Sequence, residues 1–262
     1  MLKTLARPLF TLVVSLVAVW TFLVPDAAGF MHPAGARIFF WHLPCSVLLL
    51  AFMFVALYFS FRVFRRLEPG LPTVTSAYER AQWDMRAESA MELGFIWSCL
   101  TMATGILFSL EQWGAWWQWD PRQTSFLIAL LIYGAYFALR NSIPDPERRA
   151  QFSAAYALAT ALPIFFLVLV FPRLPQVQAV SFHPTDTIMS GKLVGQYLYV
   201  TLAMNVLMAI LSAWLYQMRI RVSLLALGLE FKNGTMEDSR GDRAPTGVVR
   251  VVGVSGKDEP AT

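Results

Sequence analysis

The sequence predicts an all-α integral membrane protein, a six-transmembrane-helix bundle with both termini cytoplasmic, on three observations. The 262 residues are 56% hydrophobic and only 15% charged, with mean hydropathy +0.52; soluble domains carry about 25% charged residues. The charges are segregated, leaving six runs of bilayer-crossing length at roughly 9–25, 44–63, 89–110, 122–140, 152–171 and 193–217. Of the 21 Lys and Arg, all but Arg37, Arg122, Arg173 and Lys192 fall on the side of the termini, in the 64–88 and 141–151 loops, or at the helix ends beside them. Such a bias marks the cytoplasmic face, so the net charge of +4 reports topology and says little about nucleic acid. No internal repeat is apparent. Residues 1–218 read as one membrane domain built from helices in lipid. Residues 219–262 read as a cytoplasmic helix extension, "RIRVSLLALGLE", followed by a flexible tail of low apolar content.

Taken in order, the first run, "LFTLVVSLVAVWTFLV", follows Lys3 and Arg7 in the manner of a signal peptide. It is long for a signal h-region, and "PDAAGF" after it is a weak cleavage site, so it reads as the first span. The second span opens in "ARIFFWHLPCS", where Pro44 suits the first helical turn because its missing N–H costs nothing there. His42 then stands at the outer lip of that helix. Neutral imidazole is the commonest metal ligand near neutral pH, although a histidine at a helix lip equally suits plain hydrogen bonding to water. Cys45 and Cys99 lie inside spans, which argues for buried free thiols and against a disulfide framework or a cysteine metal site. The 64–88 loop mixes both charge signs and reads as a solvated connector or a dock for an ATPase-bearing partner. Glu88 and Glu92 enter the third span.

Between the third and fourth spans lies "EQWGAWWQWDPRQTS", residues 111–125, with four of the nine tryptophans within seven positions. Asp120 reads as the N-cap of the fourth span, with Pro121 at its first position and Gln123 closing a capping box. If the stretch before it is helical, Trp113, Trp116, Trp117 and Trp119 fan over one face of roughly 160°, with Gly114, Ala115 and Gln118 opposite. An aromatic belt spreads one or two residues over several helix ends; crowding on one loop suits a platform for a large flat apolar ligand. The outer loop after the fifth span, "FPRLPQVQAVSFHPTDTIMSGK", carries His183, held extended by the following Pro184. Arg37 and Arg122 supply cations suited to carboxylates, or to lipid headgroups.

The three histidines, His32, His42 and His183, and the tryptophan cluster thus share one membrane face. Haem asks for this set: its iron accepts axial imidazoles, its macrocycle stacks on aromatic rings, and its propionates pair with Arg. A membrane electron-transfer cytochrome would carry its histidines mid-span, and none is there. A secondary transporter would show ionisable groups at mid-membrane, which the spans lack except near their ends. A membrane transporter moving haem or another small substrate through the helix bundle stays open as the alternative.

At "WGAWWQWDPRQTS" the chain resembles the tryptophan-rich (WWD) signature of the cytochrome c assembly family. Six spans and this length match its CcmC branch, a haem exporter or haem-handling component of bacterial cytochrome c maturation. The resemblance covers roughly residues 9–217. It implies a b-type haem held by two His at the periplasmic face of the inner membrane, resting on the tryptophan loop while it passes to a CcmE-like haem chaperone. It also implies association with ABC-transporter subunits and a small single-span subunit (CcmA/CcmB/CcmD-like). Carried over by position, "RIFFWHLP" makes His42 one axial ligand and Arg37 a propionate partner. Trp113, Gly114, Trp116, Trp117, Trp119, Asp120 and Arg122 match the signature. Many members place the second histidine just after the fifth span; "RLPQ" stands there instead, so His183 takes the role and His32 is a spare. No nucleophile or acid–base pair is evident at the outer face. The expected role is positioning and redox control rather than catalysis, with a lyase-like part in attaching haem to the chaperone left open.

Overall fold

The computed structural model describes residues 2–27, 30–65, 74–183 and 194–239. The expectations for the tail at 240–262, for 66–73 of the charged loop and for Pro184 and Lys192 lie outside them. All regular structure among the described residues is helical: α1 (Leu2–Leu23), α2 (Phe39–Arg65), α3 (Val74–Trp113), α4 (Pro121–Ser142), α5 (Pro146–Phe165), a one-turn α6 (Pro175–Gln178) and α7 (Gly195–Ser239). A short 3-10 turn, Gly35–Ile38, leads into α2, and α5 continues through a π-helical turn, Phe166–Val170, and a 3-10 turn, Phe171–Arg173. Five helical stretches are long and apolar enough to cross a membrane, and the apolar part of α1, Pro8–Leu23, is shorter. The chain is an all-α integral membrane protein of multi-pass type.

Two boundaries and the burial of one thiol differ from the hydropathy reading. The charged segment after position 73 is not a loop: α3 begins at Val74 and runs for 40 residues, because "SAYERAQWDMRAES" is rich in helix formers and free of Gly and Pro. Hydropathy sees only the part of a helix that lies in hydrocarbon. Pro44 falls in the second turn of α2, since the helix already starts at Phe39; His42 stays in the first turn. The thiols also divide, Cys45 buried and Cys99 on the exposed side of α3.

The core joins α2, α3, α4 and α5 through Leu48, Phe52, Met91, Trp97, Tyr133 and Ile164. With no hydrophobic drive between helices in lipid, close approach is what holds such a bundle. At Gly94 a Cβ would run into the Tyr133 hydroxyl, so the glycine makes room for that side chain of α4 against α3. α1 is attached at its end, where Val24 packs with Phe40 of α2 and Val200 and Met204 of α7. Its Leu9, Leu12 and Leu16 face outward, as lipid-facing residues do.

The end away from the histidines is tied by charge. Arg140 of α4 donates to both carboxylate oxygens of Asp84 (2.9 and 2.7 Å) and both of Glu88 (2.8 and 2.9 Å) on α3. Arg219 of α7 does the same to Glu92, at 2.6 and 2.7 Å. The acidic residues that enter the third span are therefore helix-to-helix ties.

Candidate functional site

At the histidine end, a cavity of about 450 Å³ opens between α2, α3, α4 and the π-helical turn, and both His42 and His183 line it. Its walls are apolar, chiefly Phe39, Val47, Phe108, Phe126, Leu167 and Val168. The π turn matters here: it follows Pro163 inside α5, and such wide turns occur often at functional sites.

His42 is fixed by α3. The Thr104 hydroxyl lies 2.7 Å from the Leu100 carbonyl and 3.0 Å from His42 Nδ1; with its proton on the carbonyl, its oxygen accepts from Nδ1. In that tautomer the proton is on Nδ1 and the lone pair on Nε2, the arrangement a metal-ligating histidine takes. Gly105 makes room for this ring, since a Cβ there would stand 3.2 Å from His42 Cε1. Thr104 and Gly105 lie one helical turn above Leu100 in a plain apolar span, and nothing in the sequence distinguishes them.

His183 comes from a separate element, the chain that follows α6. Its ring packs against Trp113 (centroids 5.0 Å apart) and Phe108 (6.4 Å). Its Nδ1 is buried and has no hydrogen-bond partner among the described residues, a state that costs free energy unless a ligand fills it. Burial pushes the His183 pKa down to about 4; Asp120 opposes that shift, and Arg122 and His42 add to it. The ring is neutral at pH 7 and able to donate a lone pair.

Arg122 also lines the cavity; it donates to the Pro172 carbonyl (3.3 Å), and its Nε is buried without a partner among the described residues. Arg173, which sequence reading counted only as a topology signal, lines the same cavity. Arg37 does not. It donates to Asp26 at 2.6 Å and to the Val24 carbonyl at 2.9 Å, closing the chain between α1 and α2. His32 is exposed, and its backbone N–H and C=O are both held by the Gln112 side chain (3.3 and 2.8 Å).

The tryptophans do not form a helical platform. α3 stops at Trp113, Gly114 leaves at φ +77° with its N–H on the Leu110 carbonyl (2.9 Å), and residues 114–120 are non-helical. A left-handed residue after the last turn is how such helices end. Trp113 therefore backs His183, Trp117 stands edge-on to Trp119 (5.9 Å), and Trp116 and Trp119 are exposed. None of the four lines the cavity, nor does Gly114 or Asp120.

Asp120 does cap α4, accepting from the Arg122 N–H at 2.8 Å. Gln123 does not close a capping box: its side-chain oxygen accepts from the Gln118 N–H instead (3.1 Å), which braces the tryptophan loop. Asp120 also accepts from Ser181 and from the Phe182 N–H, beside His183. A second hollow, about 620 Å³, lies outside α3, α4 and α7; the two ionisable residues lining it, Glu92 and Arg219, are paired with each other. No cluster of three or more His, Cys, Asp or Glu exists among the described residues.

The sequence model of one protein family, described as heme exporter protein C (CcmC), matches residues 2–230. This chain belongs to the CcmC family. A heme exporter protein C of Paracoccus denitrificans is 29% identical over 140 residues, covering 53% of this chain and 52% of that protein. One from Bradyrhizobium diazoefficiens is 37% identical over 79 residues, 30% of each chain. A cytochrome c biogenesis protein CcsA of Prochlorococcus marinus is 36% identical over 78 residues, 30% of this chain and 23% of that one. The matches span about half or less of these relatives' lengths.

Proposed function

We propose that this CcmC-family protein holds haem at the periplasmic face of the bacterial inner membrane and hands it to a CcmE-like chaperone during cytochrome c maturation. One observation carries the reading: two histidines from separate elements line one apolar cavity, each ring offering a nitrogen with no competing partner among the described residues. Haem is the cargo, and His42 and His183 would hold its iron. Arg122 and Arg173 supply positive charge for its propionates. The cavity walls keep water from the plate. The tryptophan loop acts around the plate, since Trp113 supports His183 while exposed Trp116 and Trp119 stand where a chaperone would approach. His183 stands outside the helices, on the chain that follows α6, so breaking its bond to the iron would leave the bundle intact.

The cavity floor favours holding over conduction. Below it Cys45, Leu48, Phe52 and Trp97 pack in the buried core, leaving haem to arrive and leave at the same end. The ABC-transporter subunits and the small single-span subunit (CcmA/CcmB/CcmD-like) would then act on release.

The test is haem content after purification from cells supplied with haem, for wild type and for Gly105→Leu, which fills the space beside His42. Near-stoichiometric haem in wild type and little in the variant is the expected result. No haem in wild type in either redox state overturns the reading and favours a transporter of some other small substrate.

A further inference from the structure

Resting on the haem-holding reading, we infer that Asp120 is a positioning residue, which with Ser181 latches the His183 segment over the cavity and does not itself touch haem. Asp120 is 1% exposed, and a carboxylate so placed must have all its charge answered by donors. Its donors come from two elements. The Arg122 N–H, at 2.8 Å on Oδ1, roots it in the N-terminus of α4. The Ser181 hydroxyl lies 3.2 Å from Oδ1 and 2.9 Å from Oδ2, and the Phe182 N–H donates to Oδ2 at 2.7 Å. The chain is carried one residue further, because the His183 N–H donates to Ser181 Oγ at 3.2 Å. Three consecutive residues from 61 to 63 positions away are therefore fixed by one carboxylate.

The bonds to Asp120 are charge-assisted, the strong kind, and they fix backbone. The ring is fixed separately, by Trp113, which also packs on Phe182 at 5.8 Å. The tryptophan–aspartate stretch thus sets both the place and the orientation of a ligand carried by another loop. Neither α6 nor the turn after it could do so alone, since α6 has only four residues and ends at Gln178.

Hydrogen–deuterium exchange on the ligand-free protein tests the latch without haem. Asp120→Asn retains one oxygen for the α4 cap but weakens the grip on Phe182; Ser181→Ala leaves the cap untouched and guards against misfolding of the first variant. Amides from 180 to 183 should exchange roughly tenfold faster or more in both, with the α3 and α4 amides unchanged. With haem, both variants should lose the low-spin spectrum for a high-spin one, as in His183→Ala, and added imidazole should restore it, because His42 still binds. Unchanged exchange overturns the latch. Faster exchange with an intact low-spin spectrum overturns its link to His183. If wild type takes up no haem, the haem reading falls, and with it the positioning role, while the exchange data still decide whether the loops are latched.

Discussion

The Thr104 hydroxyl is hydrogen-bonded to His42 Nδ1 at 3.0 Å and lies 2.7 Å from the Leu100 carbonyl, so the tautomer of this proposed ligand depends on one hydroxyl. Thr104→Val keeps the shape and removes the acceptor. Haem affinity, measured by transfer to an apo-haem acceptor protein, should fall about 10-fold to 100-fold, the range seen when such supporting partners are lost; Thr104→Ser should retain it. His42 and His183 were legible in the sequence because histidines are few and both flank apolar spans. Arg37 lies outside the cavity lining and pairs with Asp26, through a fold-back of the chain between α1 and α2 that no local pattern announces. Arg173 lines the cavity, which the sequence does not announce, since a lone basic residue at a helix end reads as an anchor.

Among the elements, the α3–α4 tie is the one whose loss should be most costly. Arg140 and Asp84 are almost fully buried and doubly hydrogen-bonded. Arg140→Met leaves Asp84 and Glu88 facing each other without a cation, and breaking a buried pair in this way destabilises by about 3–5 kcal/mol. A marked fall in Tm in detergent is the expected outcome, and Arg140→Lys should recover little of it because lysine cannot bond both carboxylates as a planar fork. The helices themselves were visible in hydropathy, but their lengths were not. α3 and α7 run well past the hydrocarbon, and the non-helical path of residues 114–120 depends on the Gly114 turn and on Asp120 gripping a distant loop. The π turn after Pro163 had no sequence signal beyond the proline itself, and it helps to form the cavity wall.

For the molecule as a whole, the charge bias proposes that the histidine end faces the periplasm and the Arg140 end the cytoplasm. Single cysteines at Trp116 and Ser142, in a background with Cys45 and Cys99 replaced, should label from opposite faces of oriented membrane vesicles, Trp116→Cys from the periplasmic side alone. Labelling of both from one face would contradict the assignment. What the molecule then presents is a packed lower bundle beneath an upper cavity that both His42 and His183 line. The most direct measurement of its central claim is the absorption spectrum of haem-loaded protein in wild type, His42→Ala, His183→Ala and His32→Ala. A low-spin spectrum lost in the first two variants and kept in the third is the expected result. A low-spin spectrum that survives in His183→Ala but disappears in His32→Ala would contradict the cavity as the place where haem is held.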